Sequence, residues 1–169
     1  MSGWAEPAES STLRVGVGIW PETLHGLDRQ FIIMITEMAA QKAMDRLEKE
    51  GFDALTQEEA TVATVWLFLA GVSNNGFAHY FASKRGDLAF NAPAALRTIG
   101  ATRHAELAAE ANAVFGGAGP SRDLTLRRDA VKALPGPAQQ ALAALEKRYF
   151  DCDEDVDAVL DDYVSKQTK

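Results

Sequence analysis

From Asp28 to the C-terminus the apolar residues recur at helical spacing in segment after segment, and glycine and proline cut the segments apart. This pattern constrains the fold more than any other feature. A period near 3.6 gives each segment an apolar stripe that must be buried against a neighbour. Phe31, Ile35, Met38, Ala39 and Leu47 form the first stripe, with Gln41, Lys42, Asp45, Arg46 and Glu48 among them, and Gly51 is a suitable stop. The unbroken apolar run from Phe31 to Ile35 predicts burial on more than one side of this helix. Thr56 and Glu59 are spaced as a capping box and open a helix carrying Val62, Val65, Trp66 and Leu69. That helix is expected to stop or kink between Gly71 and Gly76. Phe77, Tyr80 and Phe81 then make a short aromatic face, and Gly86-Asp87 a turn.

Asn91 reads as an N-cap with Pro93 in the first turn, where the missing N–H costs nothing. Ala95, Leu96 and Ile99 follow, and Gly100 closes the helix. Thr102 is placed to cap the next one, with Leu107, Ala111, Val114 and Phe115 on its stripe, and residues 116–120 are a loop. A helix over 122–133 ends at Pro135-Gly136-Pro137. Another carries Leu142, Leu145 and Tyr149, and the last carries Val156, Val159, Leu160 and Tyr163. No convincing pair of strands, internal repeat or charged linker interrupts the series. The expected fold is all-α: a single compact domain of about seven or eight short helices over residues 21–169. Residues 1–20 read as a small, polar, flexible tail followed by an extended N-terminal arm, in which Leu13, Val15, Val17 and Ile19 alternate with Arg14, Gly16 and Gly18.

A chain of 169 residues can bury about two-thirds of its unfolded surface and needs no disulfide or metal staple. Cys152 is the single cysteine, so an intrachain disulfide is excluded. Residues 1–12 lack the basic and apolar regions of a secretory leader, and the longest apolar stretch, Ala60 to Val72, is shorter than a bilayer requires. A cytoplasmic location is expected. The net charge of −7, with no cluster of Lys and Arg, argues against direct nucleic-acid binding and against an anionic membrane surface. It favours a basic partner, or serves only solubility.

The constellations of known enzyme classes are missing: no G-x-S-x-G elbow, P-loop, dinucleotide fingerprint or H-E-x-x-H occurs. His25, His79 and His104 show no metal-ligand spacing, and Cys152 has no catalytic partner motif and sits between Asp151 and Asp153. The expectation is a non-enzymatic protein without metal or cofactor.

The most distinctive stretch is the carboxylate run Asp151 to Asp162. Asp151, Asp153, Asp155, Asp157 and Asp162 fit positions 1, 3, 5, 7 and 12 of an EF-hand loop, but Val156 stands where the sharp turn demands glycine. Part of the run is explained as a helix start, with Asp153 as N-cap and Glu154 and Asp155 in the first turn, where the helix dipole favours anions. Asp153, Asp157 and Asp161 then form an i, i+4, i+8 row, stepping by roughly 6 Å in the manner of a phosphate backbone. With Glu154 and Asp162 they form the candidate partner-binding set; a solvated acidic face is the plainer reading. The segment Val72-Ser73-Asn74-Asn75-Gly76-Phe77 is the other unusual stretch, either a tight inter-helix turn or the floor of a polar pocket beside His79 and Tyr80.

Residues 72–81, Val-Ser-Asn-Asn-Gly-Phe-Ala-His-Tyr-Phe, resemble the V-N-N-G-G-F-x-Q-Y-F signature of the DNA-mimic-protein family. In that signature Asn74, Asn75, Gly76, Phe77, His79, Tyr80 and Phe81 are the matching positions. Ser73 departs from an Asn, Asn75 from a Gly, and His79 from a common Gln. Ile99-Gly100-Ala101 is similar to the next block, and Tyr149 to Val156 to the C-terminal F-Y-x-L-D-E-D-L block, with Cys152 in place of Leu. The resemblance covers roughly residues 55–165. It implies an acidic, all-helical protein, a homodimer in one characterised type of member, which occupies the surface of a basic DNA-binding protein such as a transcription factor. The alternative is a module that binds a small ligand or a protein through Asn74 to Tyr80.

Overall fold

The computed structural model describes residues 29–167; the N-terminal arm expected from the alternation at 13–19 lies outside the described residues. Among these residues the chain is all-α, with seven α-helices and no strand. They are α1 (Arg29–Glu50), α2 (Gln57–Ala82), α3 (Ala92–Ile99), α4 (Thr102–Ala113), α5 (Leu124–Lys132), α6 (Gly136–Phe150) and α7 (Val156–Gln167). Short 3₁₀ turns at Phe52–Ala54 and Lys84–Leu88 flank α2. No helix among them is long and apolar enough to cross a membrane.

Helix α2 is the axis of the array and packs against α1, α3, α5 and α6. Its sequence explains this position. Thr61 to Val65 are all buried, as are Phe68 and Val72, so the helix is apolar around most of its circumference. Its threonines enter the core because Thr61 and Thr64 bond the carbonyls of Gln57 and Ala60, four residues back. The capping box at Thr56 and Glu59 is formed. Glu59 also holds α1 in place, at 3.3 Å from Lys42 and 2.5 Å from Arg46.

The expected kink in α2 falls at Gly76, whose φ of 75° and ψ of 177° lie outside the helical region. The chain reverses its stripe there, and Phe77, Tyr80 and Phe81 fold back against Phe68. Phe68 meets Tyr80 and Tyr149 edge-on at 5.6 and 5.9 Å between ring centroids. Gly71 makes the return passage possible: a Cβ there would lie 2.3 Å from the Tyr80 ring. Each fully buried aromatic ring contributes about 1.5–3 kcal/mol, so this cluster is the main apolar anchor of the fold. The Tyr80 hydroxyl pays a penalty for its place, because it is buried with no hydrogen-bond partner.

A second anchor is polar. Arg127 on α5 is completely buried. Its Nε donates to the Phe81 carbonyl at 2.6 Å. One terminal nitrogen donates to the carbonyls of Ser121 and Arg122, and the other to the Ser83 carbonyl and Asp87. All five guanidinium N–H groups therefore have acceptors, which is what makes burial of this cation tolerable. The network ties α5 to the end of α2 and the 3₁₀ turn after it.

Four local expectations are corrected. Phe31 and Met34 are 44% and 45% exposed, because α1 meets the core along one side, through Ile35, Thr36 and the small residues Ala40 and Ala43. Asn91 precedes α3 in helical conformation and makes no side-chain cap, since the 3₁₀ turn runs almost directly into that helix. Asp123 caps α5 instead of the helix opening at 122, accepting from the Leu126 N–H at 2.8 Å. Thr102 is the first residue of α4, not its cap, and a residue from the far end of the chain supplies that function.

Candidate functional site

The run Asp151 to Asp162 covers the five-residue linker 151–155 that follows α6 and the first half of α7. Asp151 is the C-cap of α6 and pairs with Lys147 at 2.6 Å. Asp153 is the first departure from expectation. It is not the N-cap of the last helix; it is exposed and paired with the Arg103 guanidinium at the start of α4. The cap of α7 is Asp155, whose Oδ1 accepts from the Ala158 N–H at 3.0 Å.

Glu154 is likewise absent from the first turn of α7, and its carboxylate turns to α4. Oε1 accepts from the Arg103 N–H at 3.1 Å, and Oε2 from the His104 N–H at 2.9 Å and the His104 Nδ1 at 2.7 Å. A helix begins with orphan N–H groups, and an anion set against them satisfies both hydrogen bonding and the dipole. Burial opposes ionisation of Glu154, but the His104 N–H and ring and the Arg103 N–H outweigh it. The carboxyl stays below its usual range.

The rest of the run lies on α7. Val156, Leu160 and Val164 are its buried stripe, facing α1 and the end of α3. Asp157 and Asp162 are exposed and Asp161 is half-buried. Asp162 pairs with Lys166 at 2.5 Å. Asp157 and Asp161 form no ion pair among the described residues. The Asp157 carboxyl is pushed above its ordinary value, first by partial burial and then by the charges of Asp155 and Asp161. Among the described residues no cation pairs with Asp157 or Asp161 to offset this. The i, i+4, i+8 row begins outside the helix, so the regular spacing holds only from Asp157 to Asp161.

The signature segment divides into two groups. Gly76, Phe77, Tyr80 and Phe81 are buried, and Asn74, Asn75 and His79 are exposed. The kink leaves the Phe77 N–H without a helical acceptor, and Glu146 of α6 accepts from it at 3.2 Å. Ser73 and Tyr149 share a hydrogen bond of 2.8 Å, and Asn74 donates to the Ala70 carbonyl of its own helix at 2.7 Å. The motif is a kink locked by α6. Neither Glu146 nor Arg103 was singled out in the sequence, because each acts on a segment 50 or more residues away.

A family model described as DMP19-like protein matches residues 53–167, about two-thirds of the chain. No curated protein and no solved structure matches it.

Proposed function

The chain belongs to the DMP19-like protein family, and on that premise we propose that it is a non-enzymatic DNA mimic which binds the basic surface of a DNA-binding protein through the carboxylates of α7. The observation that supports this reading is that Asp157 and Asp161 form no ion pair among the described residues, while partial burial and then the charges of Asp155 and Asp161 disfavour the ionised Asp157 carboxyl, a cost that a cationic partner would relieve. Asp162 flanks these carboxylates, while Asp153 and Glu154 of the linker are engaged with Arg103 and His104 at the start of α4. Charge complementarity of this kind gives binding that weakens with salt. The reading places the protein with its partner in the cytoplasm. The homodimer implied by the resemblance has a candidate surface on α1, where Phe31, Met34 and Met38 are exposed one turn apart.

The test is competition with DNA. Basic proteins retained on immobilised DNA at low salt are challenged with the wild-type chain and with the variant Asp157→Asn/Asp161→Asn, neither of whose positions carries a cap or an ion pair. Elution of a DNA-binding protein by the wild type and not by the variant is expected. Equal elution by both, or none by either, removes the proposal.

A further inference from the structure

Three residues of different chemistry meet where the 151–155 linker crosses the start of α4. His104 is buried at 4% exposure, and Cys152 and Glu154 are partly buried. The Cys152 Sγ lies 3.8 Å from His104 Nδ1, Glu154 Oε2 lies 2.7 Å from the same nitrogen, and all three donor atoms fall within 4.8 Å of one another. We propose that His104, Cys152 and Glu154 form a binding site for one zinc-class divalent cation, with the fourth position open to solvent or to a partner's side chain.

The donor set defines the metal. Thiolate and imidazole together select zinc and its neighbours over magnesium and calcium, which take oxygen ligands. Zinc bonds of about 2.0–2.3 Å in tetrahedral geometry place donors roughly 3.3–3.7 Å apart. The Sγ–Nδ1 separation is already near that range. The Nδ1–Oε2 pair must open by about half an ångström, as the metal replaces the proton those two atoms share. Charge also balances, because a thiolate, a carboxylate and a neutral imidazole together neutralise a divalent cation.

The supports around the ligands resemble the outer shell of a metal site. Glu154 is fixed in direction by the N–H groups of Arg103 and His104, which use lone pairs that a monodentate carboxylate can spare. The His104 ring is fixed by an edge-on contact with Tyr149, at 5.0 Å between centroids. The group that opposes a cation is the Arg103 guanidinium beside Cys152 and Asp153. Its side chain is 63% exposed and can leave the thiol without desolvation cost. A bound cation would then fasten the linker to α4 and set the angle at which α7 presents its carboxylates.

The full chain, reduced and stripped with chelator, is titrated with zinc and separately with cobalt(II). One zinc per chain is expected, with a Kd below about 10 μM, a Cys152→Ser variant at least tenfold weaker, and no binding of magnesium at the same concentration. Wild type with cobalt should show a thiolate-to-cobalt charge-transfer band in the near ultraviolet, a readout that requires no variant. The inference is overturned by a weaker Kd, by zinc binding that survives Cys152→Ser unchanged, or by the lack of that band.

Discussion

Replacement of Arg127 by methionine tests the claim that a buried cation holds α5 in place. Methionine keeps most of the side-chain length and volume and removes every donor. The acceptors left behind are unequal. The Phe81 carbonyl belongs to a fully buried residue, and stranding it costs about 1–3 kcal/mol. The carbonyls of Ser83 and Ser121 are half-buried and that of Arg122 is exposed, so water can reach them, and each loses only the net value of its bond, about 0.5–1 kcal/mol. Asp87 is half-exposed and returns to solvent at little cost. The total, about 3–5 kcal/mol, matches the usual consequence of breaking a buried charged network. Urea unfolding of the wild type and Arg127→Met, followed by far-ultraviolet circular dichroism, measures it. The midpoint should fall sharply with the slope unchanged. Arg127→Lys can satisfy at most three acceptors and should fall between the two. A loss under about 1 kcal/mol for Arg127→Met would show that the network is incidental to the packing of α5.

Gly76→Ala should destabilise by about 2–4 kcal/mol in the same assay, since alanine is strained in that backbone region and its Cβ would displace the Glu146 carboxylate that receives the Phe77 N–H. Tyr80→Phe should be neutral or raise stability by about 1 kcal/mol, because it deletes a buried hydroxyl with no partner; a loss above that would mean the hydroxyl is bonded in solution. The Glu59 carboxyl is held below its ordinary value of 4.5, first by the Thr56 N–H and then, against burial, by Lys42 and Arg46. Its stabilisation is therefore complete above the unfolded value and drains away as pH falls through the folded one. Thermal melts from about pH 7 to about pH 3 should show a shallower acid decline for Glu59→Gln than for the wild type. Asp157 runs the other way: its raised pKa means the folded chain loses stability as pH rises through the titration of that carboxyl. Asp157→Asn should accordingly be slightly more stable at neutral pH, by roughly 0.2–0.5 kcal/mol for the i,i+4 like-charge pair with Asp161 alone.

What could be read from the sequence and what could not separate along one physical line. The capping box at Thr56, the end of α1 at Gly51 and the kink at Gly76 depend on residues within a turn of each other, and local chemistry specifies them. The misreadings at Asn91 and Asp123 are local, but those at the candidate site and in the buried network involve a partner from elsewhere in the chain. Thr102 is an ordinary candidate for a cap, yet α4 begins against Glu154, 52 positions later. Asp153 is as good a cap as Asp155 by composition, and the decision falls to Asp155 because Arg103 and α4 claim the two residues before it. Arg127 carries a charge that predicts exposure, and only the convergence of four carbonyls and Asp87 makes burial tenable. Of the candidate partner-binding residues, the sequence shows their number and sign. The fold assigns Asp153, Glu154 and Asp162 to ion pairs within the protein and leaves Asp157 and Asp161 without one among the described residues.

The clasp of Glu154 on α4 has a consequence for how this chain can be shortened or altered. Residues 103 to 154 form a loop closed by one carboxylate, so the last helix is not an appendage that can be trimmed back to the end of α6. A chain stopped at Phe150 would expose the apolar stripe of α1 that α7 covers, and would also unwind the first turn of a helix some fifty residues upstream. The same clasp divides the acidic run into two kinds of position. Asp155 and Glu154 are bound by the architecture, whereas Asp157 and Asp161 can be exchanged without disturbing a cap. If the proposed mimicry holds, adaptation to a different basic surface would be written on α7 beyond Val156, with the linker before it held constant.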